Sequence, residues 1–143
     1  MEPCIFCQII AGHSPGSIFY RDDQVLGLLT IGPINDGHAM IIPIRHATYL
    51  ADLDEGTGQH LFTITQRTAA AMRASGLRCE GVNLFLADGE AAFQEVFHLH
   101  MHVFPRFQGD SFRLDADWSY LPTRAVLNTV AMRIRTAYTH LFP

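Results

Sequence analysis

Apolar and polar positions alternate with period two along several short stretches of this chain and recur at helical spacing along two longer ones. Period two is the side-chain alternation of a β-strand. It predicts a short strand at 18–20 followed by a turn at Asp22-Asp23, an apolar strand at 25–30, and a strand at 38–43 after the turn cluster 32–37. Another strand is expected at 81–86, where Val82, Leu84 and Leu86 oppose Asn83 and Phe85. A hairpin-like turn at 87–90 leads to a last strand at 95–104, ended by Pro105. Asp52 and Glu55 have the spacing of a capping box, and Leu61, Ile64, Thr68 and Met72 continue from it at helical spacing to Ser75, where Gly76 stops the helix. A terminal helix follows Pro122, with Leu127, Val130, Ile134 and Leu141 on one stripe.

Short turns between strands imply antiparallel pairing. The expected fold is α+β, a mostly antiparallel sheet of about five strands with helices packed on one face. Residues 1–16 form an arm and 108–121 a loop. The whole chain, 1–143, is expected to be a single domain, with a core at 1–110 and a loop and C-terminal helix at 111–143. That last part can instead reach a partner subunit. A sheet of this size pairs edge to edge in a homodimer, and a dimer is expected on that architecture.

The strand at 95–104 carries the most telling pattern: His98-Leu99-His100-Met101-His102. Period two places all three imidazoles on one face. At ~3.3 Å per residue, His98 and His100 lie roughly 7 Å apart and His98 and His102 about 13 Å apart at Cα. Two neighbours can converge on one metal ion, but three in a line hardly can. A division of labour is expected, one end ring structural and the middle ring chemical. The bland alternative is three exposed histidines without a role.

Composition narrows the options. The chain has 143 residues, 48% of them hydrophobic and 17% charged, which suits one domain with a real core. No run of about 18 apolar residues is present, so no membrane span is expected, and no signal peptide is evident. A cytoplasmic protein is expected. The net charge of −4 argues against bulk nucleic-acid binding. Every basic residue is arginine. Phosphate must therefore be met by Arg, His, backbone N–H or a metal, and a lysine nucleophile is excluded.

The three cysteines are Cys4, Cys7 and Cys79. An odd count with one Cys-x-x-Cys is not a disulfide framework. Cys4 and Cys7 have knuckle spacing for a tetrahedral metal, and zinc would need two histidines besides, with His98 and His46 as candidates. A redox dithiol and a pair of inert buried thiols stand as alternatives. Cys79 is expected in the core.

His98-Leu-His100-Met-His102-Val-Phe resembles the signature of the histidine triad (HIT) superfamily of nucleotide hydrolases and transferases. Cys4-Ile-Phe-Cys7-Gln-Ile-Ile resembles the opening of zinc-containing bacterial HIT proteins. Residues 33–46, with Gly37-His38 and Pro43-Ile-Arg-His46, resemble the family's second block, and Gly89-Glu-Ala-Ala-Phe93-Gln94 precedes the triad at the family distance. The likeness spans roughly residues 1–110. It implies a HIT-type nucleotidyl hydrolase or phosphoramidase acting at a nucleoside α-phosphate. His100 would be the nucleophile, forming a nucleotidyl-histidine; His102 would hydrogen-bond the phosphate or leaving group; Gln94 would steady the phosphoryl oxygens; His38 would be a buried support. Arg106 would take a surface or dimer role. The resemblance also implies a closed, structural zinc site at Cys4, Cys7, His46 and His98. Thr30, Ala87, Phe93 and Glu95 depart from common family residues, Phe93 narrowing the space beside the phosphate. Thr30 and Asp88 are the candidate substrate contacts. The substrate class spans phosphoramidates, dinucleoside polyphosphates and adenylyl-sulfate-like compounds. A zinc-stabilised nucleotide-binding or interaction module with little turnover is the alternative, and a metalloenzyme or metal carrier using the triad as ligands is a third reading.

Overall fold

The computed structural model describes residues 4–143, so the first three residues of the expected arm lie outside the described residues. It contains helix α1 (Ile5–Ile10), strands β1 (Ile18–Arg21), β2 (Val25–Leu29) and β3 (Ala39–Pro43), helix α2 (Glu55–Ala74), strands β4 (Gly81–Leu86) and β5 (Met101–Arg106), and helix α3 (Arg124–Leu141). The chain divides into two units, one ending at Phe112 and one beginning at Arg113.

In the first unit the five strands form one sheet of order β1-β2-β3-β5-β4, every neighbouring pair antiparallel. Both faces of the central strands are covered, so β2 and β3 are apolar without interruption. Val25, Ala39, Ile41 and Val103 pack against Leu61, Ile64 and Met72 of α2. On the other face Leu26, Leu28, Met40 and Ile42 pack against Phe6 and Ile9 of α1. Helix α2 thus covers one face as expected, and the other face is covered by the short α1, a helix within the expected arm. Asp54, not Asp52, caps α2, its carboxylate accepting from Thr57 N–H at 2.9 Å; Asp52 instead accepts from Tyr49 N–H across a preceding 3-10 turn. His60 of α2 donates to Asp22 (2.6 Å), which Tyr20 also reaches (2.7 Å), tying α2 to the β1–β2 turn.

The histidine strand differs from expectation. β5 begins at Met101 and runs through Pro105 to Arg106, so His98 and His100 precede it in irregular chain. Pairing of β5 begins at Met101, opposite Ile41 of β3 and Leu86 of β4. Pro105 is tolerated because β3 pairing ends at Val103, so the missing N–H costs no bond on that side. The expected hairpin turn is accordingly a long connection from Ala87 to His100, with a 3-10 turn at Glu90–Ala92.

In the second unit α3 is capped by Thr123, and its apolar stripe, including Leu127, Val130, Ile134 and Leu141, is exposed. No helix among the described residues is long and apolar enough to cross a membrane.

Candidate active site and metal centre

The connection from β4 and the start of β5 bring His98, His100 and His102 into one cluster with His38, at the α1 side of the sheet. Gly37 opens the turn before β3 with φ +95°, a conformation that favours glycine, and so delivers His38. Pairing of Met40 with His102 puts His102 on the α1 side, and the His100 and His102 rings lie 4.8 Å apart.

Hydrogen bonds assign the ring tautomers. His100 Nδ1–H donates to the His98 carbonyl at 2.7 Å, which leaves His100 Nε2 as a free lone pair. His38 Nδ1 accepts from Ile34 N–H (3.1 Å), so its Nε2–H donates to His102 Nδ1 (2.9 Å). His102 must then carry its proton on Nε2. The site therefore presents an acceptor nitrogen on His100 and a donor nitrogen on His102, side by side.

Burial keeps these rings neutral. Desolvation pushes His38 below the usual histidine value. It does the same to His100, against the opposing bond to the His98 carbonyl. His102 is lowered to about 4, by desolvation first and then by neighbouring His100 and His38. A neutral His100 with an unprotonated Nε2 is a nucleophile at neutral pH.

His38 is braced from below. Asn35 Nδ2–H donates to the Pro105 carbonyl and to Asp110, each at 2.9 Å. Asp110 is buried and is gripped by Arg106 through Nε (2.6 Å) and Nη2 (2.8 Å). Arg106 holds that carboxyl well below the usual carboxylate range. Arg106 also donates to Asn83 of β4 at 2.6 Å. Arg106 thus fastens the loop that carries His38 to β4 and β5.

A second cluster adjoins the first. Cys4, Cys7, His46 and His98 place one ligand atom each within 4.8 Å of one another. The His98 Nδ1 lies 3.4 Å from Cys4 Sγ and 3.6 Å from Cys7 Sγ, and His46 Nδ1 lies 3.3 Å from Cys7 Sγ. Zinc–ligand bonds of roughly 2.3 Å to sulfur and 2.0–2.1 Å to nitrogen give a tetrahedral S···N edge of about 3.6 Å, which these separations match. The remaining ring nitrogens are engaged as a metal ligand requires: His98 Nε2–H donates to the Pro43 carbonyl (2.8 Å), and His46 Nε2 lies 3.3 Å from Thr48 Oγ1. The Pro43 carbonyl can only accept, so the His98 Nδ1 lone pair is turned to the thiols. Without a cation, burial and then the Cys4 thiol push the Cys7 thiol above its usual value. The set could hold a zinc ion with four protein ligands.

The other residues expected at the site are placed as follows. Both N–H donors of the Gln94 amide are committed to backbone, to the carbonyls of Thr48 (2.8 Å) and Val96 (3.3 Å), and Oε1 accepts from Gly89 N–H (2.8 Å). Asp88 accepts from Leu50 N–H at 3.1 Å, joining two loops. Thr30 meets the histidines only through main chain, its N–H donating to the His38 carbonyl, while it also lines a cavity of about 740 Å³ with Met72 and Leu77 that none of the three triad histidines lines. Ala87 is buried. Phe93 sits at φ +68° and is 81% exposed. Cys79 is partly buried against the core on the α2 side.

Two features escaped the sequence reading. Phe6 lies edge-on to both His98 and His100, with centroids 5.7 and 5.3 Å away. The Pro43 and His98 carbonyls orient rings, and no side-chain pattern reports a carbonyl. The Arg106–Asp110 pair at i, i+4 was a legible signal for the brace.

Comparison with known proteins places this arrangement. The family model described as the HIT domain matches residues 11–109. The chain is 42% identical over 108 residues to an uncharacterised HIT-like protein of Mycobacterium tuberculosis, covering 76% of this chain and 74% of that one. It is 34% identical over 108 residues to an adenylylsulfatase of Arabidopsis thaliana, covering 75% of this chain and 54% of that longer protein. Among solved structures it resembles a zinc-bound histidine triad family protein from Mycobacterium smegmatis, with a TM-score of 0.74, 38% identity, and coverage of 94% and 96% of the two chains.

Proposed function

The chain belongs to the HIT domain family, and we propose that it is a nucleotide hydrolase or transferase that cleaves a phosphorus bond at a nucleoside α-phosphate through a nucleotidyl-His100 intermediate. The observation that carries this reading is the tautomer pair, a free Nε2 lone pair on His100 beside an Nε2–H on His102. In the first step His100 Nε2 gives its lone pair to the α-phosphorus. The bond from phosphorus to the leaving nitrogen or oxygen breaks, and the leaving group departs with the bonding pair. His102 Nε2–H hydrogen-bonds the phosphoryl oxygens or the leaving atom as charge develops. In the second step water attacks phosphorus, the P–N bond to His100 breaks, and the nucleoside monophosphate is released with the ring restored. A phosphoramidate substrate thus consumes one water and yields monophosphate and amine. Adenylylsulfatase activity in the Arabidopsis relative supports α-phosphate chemistry of the same kind.

Gln94 and Asp88 serve in this scheme by bracing the loops that flank the row, and Thr30 by backing His38. Cys4, Cys7, His46 and His98 hold a structural zinc ion, a reading that the S···N separations and the zinc-bound relative support. Bound there, the metal would cross-link α1 to the segment before β5. Thiols kept free for a metal suit the reducing cytoplasm. A homodimer fits the exposed Leu84 and Phe85 on edge strand β4 and the exposed stripe of α3.

His100→Ala tests the reading. The variant should bind adenosine monophosphate and fail to hydrolyse an adenosine phosphoramidate. A wild type inert toward phosphoramidates and dinucleoside polyphosphates alike would sink it in favour of a nucleotide-binding module, a reading that the commitment of both Gln94 amide N–H donors to backbone favours.

A further inference from the structure

We infer that Phe6 is a positioning residue that transmits occupancy of the Cys4–Cys7–His46–His98 cluster to His100, an inference that rests on the zinc reading above. Helix α1 has six residues. A helix that short does not hold itself together in water. It is fixed at two points: its thiols, Cys4 at the N-cap and Cys7 a turn later, both within 3.6 Å of His98 Nδ1, and its buried face of Phe6 and Ile9. Phe6 lies between the two cysteines in sequence, so a metal that fixes both thiols also fixes this ring.

The Phe6 ring meets His98 at 89° and His100 at 70°. Both contacts have the edge-to-face form favoured between aromatic rings. Besides Phe6, the buried His100 ring is held by the hydrogen bond from its Nδ1–H to the His98 carbonyl and by the His102 ring 4.8 Å away. With the Phe6 edge removed, one hydrogen bond and one ring contact leave the imidazole room to rotate about its side-chain torsions. The edge of Phe6 blocks that swing and joins the His98 and His100 rings into one packed unit. Metal loss would release α1, withdraw Phe6 and leave His100 to sample both tautomers. Truncation of Phe6 would produce the same defect with the metal still bound, and the two perturbations would not add.

The test uses the full chain labelled with ¹⁵N-histidine, in which long-range ¹H–¹⁵N correlation distinguishes the two imidazole tautomers, with His100→Ala assigning the signal. Zinc-loaded wild type should show His100 as one Nδ1–H tautomer. Zinc removal by a chelator should mix the tautomers and lower kcat on an adenosine phosphoramidate by ~10- to 100-fold, the scale expected of a misplaced reacting group. Phe6→Leu, which keeps the apolar bulk, should retain zinc yet show the same mixing and the same fall in kcat with KM little changed. Phe6→Tyr, which restores the ring edge, should recover both. A zinc-loaded Phe6→Leu protein with the wild-type His100 signal and kcat would overturn this inference alone. A wild type that takes up no zinc would overturn the metal reading and this inference with it.

Discussion

Neutral, desolvated imidazoles make stability depend on pH in a calculable way. His102 titrates near 6.5 when solvated and is lowered to about 4 in the fold, by desolvation first and then by His100 and His38. The unfolded chain therefore takes up a proton at a higher pH than the folded one. The sign follows: His102 contributes nothing to the pH dependence above about pH 6.5, and stability is lost as pH falls from there toward 4. A shift of that size corresponds to about 3 kcal/mol at pH 4, a large share of a domain's 5–15 kcal/mol. Replacing His102 with Gln removes the titrating ring while leaving an acceptor for the His38 Nε2–H. Urea unfolding followed by far-ultraviolet circular dichroism at several values between pH 8 and 4 measures both proteins. The wild type should lose about 3 kcal/mol more than His102→Gln over that range. Acid release of a metal would affect both proteins and cancel in the difference. Parallel curves for the two proteins would refute the claim that this ring is held neutral by burial.

Three further outcomes are expected. Asp110→Ala removes both Arg106 hydrogen bonds to the carboxylate and one of the two from Asn35, so urea unfolding should show a lower midpoint than wild type, and an unchanged midpoint would mean the brace is dispensable. Phe93→Gly relieves the +68° backbone of an exposed residue and should raise the unfolding free energy by ~1 kcal/mol; a lower melting temperature would contradict that. Gln94→Ala removes three hydrogen bonds to backbone, so thermal melting should report a loss of ~2–4 kcal/mol together with reduced turnover, whereas a purely substrate-facing Gln94 would leave stability unchanged.

How much could be read from the chain itself varied with the kind of signal. Strands β2, β3 and β4 were legible within a residue or so because apolar runs bounded by turn residues are local patterns. The quartet Cys4, Cys7, His46 and His98 was legible because four-ligand zinc chemistry restricts the candidates, and the structure brings all four together. The start of β5 was not. Period-two alternation across 95–104 looks the same whether the backbone pairs or not, and only the partners on β3 and β4, which begin at Met101, distinguish the two. Helix α1 spans under two turns, too few for a periodic signal that would show which face Phe6 takes. The surroundings of Gln94 and Phe93 were not legible for a related reason: one hydrogen-bonds backbone groups and the other is exposed, facts that only the path of the 87–100 connection reveals.

The claim at the centre of this account is covalent attack by His100 Nε2. Rapid quench of the wild type with an adenosine phosphoramidate, followed by mass spectrometry of the peptide carrying residues 95–106, measures it directly. An adenylyl group on His100 during turnover, absent from His100→Ala, is the predicted result. Steady turnover with no adduct on that peptide, or with the adduct on another residue, would contradict it.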